Sequence, residues 1–190
     1  MNPSLVILAS GNGTNAENII KYFQVTETAK VVCVLSNKKD AKVLDRAKSL
    51  NVAAESFTKE ELFDPKVIGE KLQELEPDLI VLAGFLLKIP EYLVEAYPDK
   101  IVNIHPALLP NYGGKGMYGM HVHRAVVANK ESFSGITIHY VNEHYDEGGI
   151  IFQAKTRLDP EDSPEDVASK VHQLEYEHFP RVIENLLLNQ

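Results

Sequence analysis

The sequence predicts an α/β fold built on one open sheet, mostly parallel, with an antiparallel edge at its C-terminal side. Three observations carry this. Apolar runs such as Leu5–Ala9, Val31–Leu35 and Leu79–Ala83 recur between stretches of helical period, the pattern of strands covered on both faces. Ser134–Val141 and Ile150–Arg157 both read as strands, and the loop Asn142–Gly149 between them is too short for a helical crossover, so they pair antiparallel. Between these two regions, Ile101–Pro110 reads as a strand that stops at a histidine. Ile101, Val102 and Ile104 are β-branched and suit a buried pleated surface, while Pro106 lacks an N–H and pushes His105 out of the helical region. Asn103 and His105 are two apart and leave the strand on one face, at the carboxyl end where open α/β sheets bind ligands.

The totals narrow the class. The chain has 190 residues, enough for one domain with a sizeable core, and residues 1–190 are expected to form one. A formal charge of −8 argues against a nucleic-acid coat or an anionic membrane as partner. The single cysteine, Cys33, lies in an apolar run and reads as a buried strand residue; it permits no internal disulfide and suits a reducing compartment. Residues 1–20 lack a signal-peptide pattern, and no run approaches the roughly 18 apolar residues of a membrane span. A cytoplasmic, soluble protein is the expectation.

Taken in order, the first strand runs straight into Ser10-Gly11-Asn12-Gly13-Thr14-Asn15 and then a helix over Ala16–Phe23, with Ile19, Ile20 and Phe23 on one side. Strand, glycine-rich turn and helix is a geometry that cradles phosphate on free N–H groups, and also one that makes a plain tight turn. Its spacing is neither the dinucleotide fingerprint nor the Walker loop. A helix over Ala41–Leu50 follows the second strand, with Asn51 as a left-handed cap, then a short strand at Val52–Glu55. Lys59–Asp64 shows no clear periodicity, and Lys59 reads as a solvated charge. Pro65–Leu75 reads as a helix with proline in its first turn.

After the Leu79–Ala83 strand, Gly84–Ile89 is an apolar segment suited either to a flat ring or to core packing, and Pro90–Tyr97 is a short helix. Tyr112–Gly119 is a long glycine-rich connection of the kind that is often functional. A helix from His121 to about Asn129 follows; His121 and His123 suggest a metal only weakly, since no Cys and no H-E-x-x-H pattern accompanies them. Ser163 caps the last helix, with Pro164 at its first position; it runs through Val167, Val171, Leu174 and Phe179 to Leu188, with a kink expected near Pro180. Glu175 in its middle is by default a solvated carboxylate.

Asn103, His105 and Asp146 stand at or beyond strand ends, with no G-x-S-x-G elbow and no strong nucleophile. An amide donor, a histidine and a carboxylate without a nucleophile suit acyl transfer in which the substrate supplies the nucleophile. Asn103 would bond a developing oxyanion, a protonated His105 would steady it, and Asp146 would raise the histidine's pKa. The competing reading is a hydrogen-bonded histidine that holds a turn.

Asn103-Ile104-His105-Pro106-Ala107-Leu108-Leu109-Pro110 resembles the signature of the formyltransferase superfamily, and Ser10–Asn15 resembles the phosphate loop of its phosphoribosylglycinamide formyltransferases. The resemblance covers nearly the whole chain, from Leu5 to the last helix. It implies a single Rossmann-like domain, the formyltransferase fold, and transfer of the formyl group of 10-formyltetrahydrofolate to the amine of glycinamide ribonucleotide in purine biosynthesis. It implies that Gly13, Thr14 and Asn15 hold the ribonucleotide phosphate and Glu175 its ribose hydroxyls. Leu86, Leu87, Lys88 and Ile89 would contact the pterin; Asn142, Glu143, His144, Tyr145 and Asp146 would form the folate loop, with Asn103 also against the folate. Asn103, His105 and Asp146 would be catalytic, His139 supporting, and Lys59 would face the folate tail. Leu87 stands where some relatives carry arginine, and Gly113–Met120 replaces a shorter segment ending in Pro-Gly.

The expected partners are therefore glycinamide ribonucleotide and reduced folate, with no nucleic acid, no membrane and no metal, on a monomer or weak homodimer. A formyltetrahydrofolate deformylase, a methionyl-tRNA formyltransferase and a sugar-amine formyltransferase are the rivals in chemistry. The first two are disfavoured because those relatives carry an additional domain. A non-catalytic nucleotide-binding module is the rival from another class; it would use the Gly11–Asn15 loop and need no Asn103–His105–Asp146 set.

Overall fold

The structure, a computed structural model, describes residues 2–189. Seven strands are ordered β3-β2-β1-β4-β5-β6-β7 in one sheet, parallel through β1–β4 and antiparallel between β6 and β7, as the patterning predicts. The residues group into two compact units, 2–102 with 180–189, and 103–179.

In the first unit β1 (Ser4–Leu8) lies between β2 (Lys30–Ser36) and β4 (Leu79–Leu82), and β3 (Ala53–Ser56) pairs with β2. β1 is buried from Leu5 onward and β4 throughout, which is why these strands are unbroken apolar runs instead of alternating ones. Helix α1 (Thr14–Thr26) buries Ala16, Ile19, Ile20 and Phe23, and α2 (Lys42–Ser49) buries Val43, Leu44 and Ala47. Asn51, just past α2, takes φ 58°, the left-handed turn expected of it.

Two expectations are corrected in this unit. Lys59–Asp64 is not featureless: Lys59–Leu62 forms the short helix α3, started by a capping box in which Thr58 and Glu61 each bond the other's backbone N–H. Pro65–Leu75 is not one regular helix. It opens as a π-helical turn over Pro65–Gly69, with Pro65 at its start, and becomes α4 at Glu70–Leu75. Helix α5 (Glu91–Ala96) then leads to β5 (Ile101–His105).

The second unit begins at Asn103 within β5. It holds α6 (Met120–Ala128), the hairpin of β6 (Phe133–Tyr140) and β7 (Ile150–Arg157), and α7 (Pro164–Leu188) up to Phe179. Thr137 pairs with Gln153 across the hairpin and Gly135 with Lys155. A Cβ on Gly135 would lie 2.0 Å from the Ala154 carbonyl oxygen, so only glycine fits that register. Ser163 Oγ accepts from Asp166 N–H while Asp166 accepts from Ser163 N–H, a reciprocal cap that starts α7. Val167, Val171 and Phe179 lie along one face of α7 and are fully buried, worth roughly 1.5–3 kcal/mol each. The helix runs unbroken through Pro180. No helix among the described residues is long and apolar enough to cross a membrane.

Candidate active site

β5 ends as its sequence requires: Ile101, Val102 and Ile104 are buried, and the strand stops at His105 before Pro106. His105 is 3% exposed. Its Nε2 lies 2.8 Å from the Tyr112 carbonyl oxygen. A carbonyl only accepts, so this nitrogen carries a proton, and Nδ1 is left facing Asp146 Oδ2 at 3.5 Å. His139, two residues beyond Thr137 on β6, points Nδ1 at the Tyr140 carbonyl at 2.8 Å. In the neutral ring its Nε2 is therefore an acceptor, and Asn103 Nδ2 lies 3.1 Å from it. That contact turns the amide nitrogen of Asn103 toward His139 and leaves the half-exposed side chain a second N–H to offer. The same Nε2 is 3.6 Å from Asp146 Oδ1. Residues from two separate stretches of sequence, Asn103 and His105 from one and His139 and Asp146 from the other, thus form one cluster within the second unit.

Burial pushes the His105 pKa below its usual value, and the neighbouring Asp146 opposes this without prevailing. Asp146 acts upward on that pKa, as expected of a close opposite charge, but desolvation of a ring this deep is larger and the net direction is down. For Asp146 burial is again the largest single effect and would raise its pKa. The imidazole of His139, the charge of His105 and the Gly114 N–H together outweigh it, so the carboxyl sits below its ordinary range. The resting site is an ionised carboxylate beside an imidazole held toward its neutral form. One added proton converts the pair to imidazolium and carboxylate.

Backbone groups frame this cluster, and sequence reasoning missed them. Asp146 takes φ 57° and Tyr112 φ 59°, both left-handed. Gly114 N–H donates to Asp146 Oδ2 at 2.9 Å, so the glycine-rich connection contacts both His105 and Asp146 through its main chain. A Cβ on Gly113 would stand 2.6 Å from Leu109 Cδ2 and 3.3 Å from Asp146 Cβ. Thr137, fully buried, donates to the Ala107 carbonyl at 2.7 Å and accepts from Leu109 N–H at 2.9 Å, holding the turn that follows His105. Gln153 bonds both Thr137 Oγ1 and the Leu109 carbonyl.

Glu175 is a correction here. It is 5% exposed, not solvated, and pairs with His172 Nδ1 at 2.7 Å. That hydrogen bond raises the His172 pKa. His123 on α6 is buried with Nδ1 lacking a partner among the described residues, and burial lowers its pKa. His121 is exposed, and no group of three or more metal-ligating side chains converges among the described residues.

The other expected residues lie in or near loops. Asn142 is half-buried and accepts from His144 N–H at 3.0 Å, while Glu143, His144 and Tyr145 are exposed. In the first unit Gly13 has φ 76°, and a Cβ there would overlap Val43, so glycine alone fits. Gly13, just before α1, has no side chain to cap the helix, and Thr14 and Asn15 are half-buried at its start. Arg46 braces this loop: it donates to the Asn12 carbonyl at 2.8 Å and to Asn12 Oδ1 at 3.1 Å, and pairs with Glu17. Leu86 is 44% exposed and Lys88 is exposed, Leu87 is half-buried, and Ile89 is buried, so Ile89 presents no side chain to a ligand. Lys59 is exposed at the start of α3. Cys33 is buried, which pushes its thiol up to about 11 and makes it no nucleophile.

The formyl transferase family profile matches residues 4–183. A phosphoribosylglycinamide formyltransferase of Haemophilus influenzae is 39% identical over 184 residues, covering 94% of this chain and 84% of its own length. A chloroplastic phosphoribosylglycinamide formyltransferase of Arabidopsis thaliana is 37% identical over 185 residues; the match takes in 94% of this chain but 63% of the plant protein. The crystal structure of a phosphoribosylglycinamide formyltransferase from Anaplasma phagocytophilum superposes with a TM-score of 0.90 at 31% identity, covering 100% of this chain and 89% of that one. With the fold, the Asn103–His105 strand end and these matches in agreement, the chain belongs to the formyl transferase family.

Proposed function

We propose that this chain, acting as one domain over residues 1–190, transfers the formyl group of 10-formyltetrahydrofolate to the amine of glycinamide ribonucleotide. The observation that carries the reading is the cluster of Asn103, His105, His139 and Asp146, which offers an amide donor, a buried imidazole and an ionised carboxylate without a nucleophile. The relatives' names support the acceptor and the transfer of a formyl group to it. The substrate amine attacks the formyl carbon, and the carbonyl π pair moves onto oxygen. Asn103, oriented by His139, donates its free N–H to that oxyanion. His105 takes up a proton released by the amine, becoming an imidazolium beside Asp146, and returns it as the C–N10 bond breaks with its electron pair left on N10. One proton leaves the amine and one reaches N10, so the two products balance the two substrates.

In this reading the loop at Gly13, Thr14 and Asn15 holds the phosphate on the uncapped start of α1, with Glu175 at the ribose. Leu86–Lys88 face the pterin, through backbone and the exposed Leu86 side chain, with the Asn142–Asp146 loop and Lys59 as further folate contacts. The reaction belongs in the cytoplasm, on a monomer or weak homodimer, with no metal and no nucleic acid. His105→Ala and Asp146→Ala are each expected to lower turnover by at least about 100-fold with an unchanged far-UV circular dichroism spectrum. Asn15→Ala is expected mainly to raise the KM for the ribonucleotide. Normal turnover in both His105→Ala and Asp146→Ala would sink the mechanism.

A further inference from the structure

Tyr112 is held at both of its ends. At the main chain its carbonyl accepts from His105 Nε2–H at 2.8 Å. At the tip of the side chain its phenol donates to Glu131 Oε1 at 2.7 Å and accepts from Asn129 Nδ2 at 2.9 Å. Burial, and then the bond to Glu131, raise the phenol's pKa, so it remains the donor. Asn129 and Glu131 stand where α6 passes into β6, and the turn there is closed by Lys130 N–H on the Val127 carbonyl and Glu131 N–H on the Val126 carbonyl. The ring therefore reaches from the end of α6 to the histidine, within the second unit. Its main chain needs such a hold. A φ of 59° is a left-handed conformation that a residue with a Cβ adopts only where its neighbours enforce it. The glycine-rich chain that follows supplies little support: a Cβ on Gly114 or Gly116 would meet nothing within 4 Å among the described residues.

The place of this carbonyl decides which nitrogen of His105 is basic. The neutral ring carries one proton and has two acceptors beside it, the Tyr112 oxygen at Nε2 and Asp146 Oδ2, 3.5 Å from Nδ1. The carboxylate is intrinsically the stronger acceptor. With the carbonyl free to move, the proton shifts toward Nδ1, and the nitrogen facing Asp146 loses its lone pair. With the carbonyl held at 2.8 Å, the proton stays on Nε2, and Nδ1 is left open to take the proton released by the attacking amine. The imidazolium that results is hydrogen-bonded on one side and paired with a carboxylate on the other.

We propose that Tyr112 is a positioning residue for the formyl transfer, its phenol tied to Asn129 and Glu131 so that its carbonyl fixes the His105 proton on Nε2. The assignment rests on the functional reading above. Tyr112→Phe removes only the tie. It is expected to lower kcat about tenfold, with both KM values within about twofold of native and an unchanged far-UV circular dichroism spectrum. Asn129→Ala/Glu131→Ala is expected to match it, and adding Tyr112→Phe to that pair to lower kcat no further, because a single device is broken. Glu131→Gln keeps an acceptor for the phenol and is expected to retain the native kcat. Magnetic resonance of the histidine ring nitrogens reads the ring directly, with His105→Gln identifying its signals among the seven histidines. The native protein is expected to show neutral His105 protonated on Nε2. Tyr112→Phe is expected to spread the proton over both nitrogens and to move the His105 titration to lower pH, since the carbonyl favours the imidazolium. Asp146, His139, Glu175 and His123 also act on that titration, and all four are kept in the variant. A native kcat in Tyr112→Phe, or a lowered kcat with the His105 signals unmoved, overturns the assignment. So does a native His105 protonated on Nδ1. Native protein that transfers no formyl group, with the His105 signals behaving as expected, contradicts the functional reading and leaves the tie to His105 standing.

Discussion

Replacing Thr137 by valine tests whether the turn after His105 is held by one hydroxyl. Valine keeps the shape of threonine and removes only the hydrogen-bonding group. Thr137 Oγ1 serves three partners: the Ala107 carbonyl, the Leu109 N–H and Gln153 Nε2. Gln153 keeps its second bond, to the Leu109 carbonyl, at 2.9 Å. Two backbone groups are therefore stranded, each costing about 1–3 kcal/mol when buried. After some relaxation and the gain of an apolar methyl, the expected loss is about 2–4 kcal/mol. Thr137→Ser, which keeps the oxygen and loses a methyl, is expected to cost about 1 kcal/mol. Urea unfolding followed by circular dichroism measures both, since the chain has no tryptophan to report by fluorescence. Turnover is expected to fall further in the valine variant than in the serine one, because Ala107–Leu109 follows His105 directly. A valine variant within about 0.5 kcal/mol of the native protein would refute the reasoning.

Gly113→Ala places a Cβ 2.6 Å from Leu109 Cδ2 and 3.3 Å from Asp146 Cβ, so it is expected to shift the carboxylate and lower kcat about 10- to 100-fold with the ribonucleotide KM unchanged; a normal kcat would contradict the framing role of that loop. Stability is expected to fall on mild acidification. His105 and His123 have pKa values lowered from 6.5, so below about that pH the unfolded chain binds protons first, and their contribution is complete above it and lost as pH falls. His172, raised from 6.5, acts in the opposite sense, and Asp146, lowered from 3.8, adds its own loss only in stronger acid. Denaturant titrations between about pH 7 and 5 should show a flatter slope in His105→Gln/His123→Gln than in the native protein, and equal slopes would remove the burial argument.

The strand end at Asn103 and His105 was legible because β-branched residues, a period of two and a following proline all act locally. The same holds for the Ser163 cap and the hairpin. Glu175 was not legible as buried: a carboxylate in mid-helix reads as solvated until α7 packs it inward, where His172 at i−3 pairs with it. The net direction of the His105 pKa was not legible either, since the pull of Asp146 can be inferred from sequence but depth of burial cannot. Tyr112 and Gly114 act through main-chain groups, which carry no residue-type signal; the paired glycines at 113 and 114 were the nearest clue. The Thr58-x-x-Glu61 capping box is present in the sequence, but the helix it starts is a single turn, too short to show a period. The π-helical opening at Pro65 cannot be told from an α-helix by apolar spacing over five residues.

The central claim is that the Asn103–His105–Asp146 cluster passes a formyl group to an amine. Consumption of 10-formyltetrahydrofolate, followed by absorbance with and without glycinamide ribonucleotide, tests it most directly. Consumption that depends on the ribonucleotide and yields its formyl derivative is the expected result. Consumption without the ribonucleotide, or none in its presence, would contradict the account.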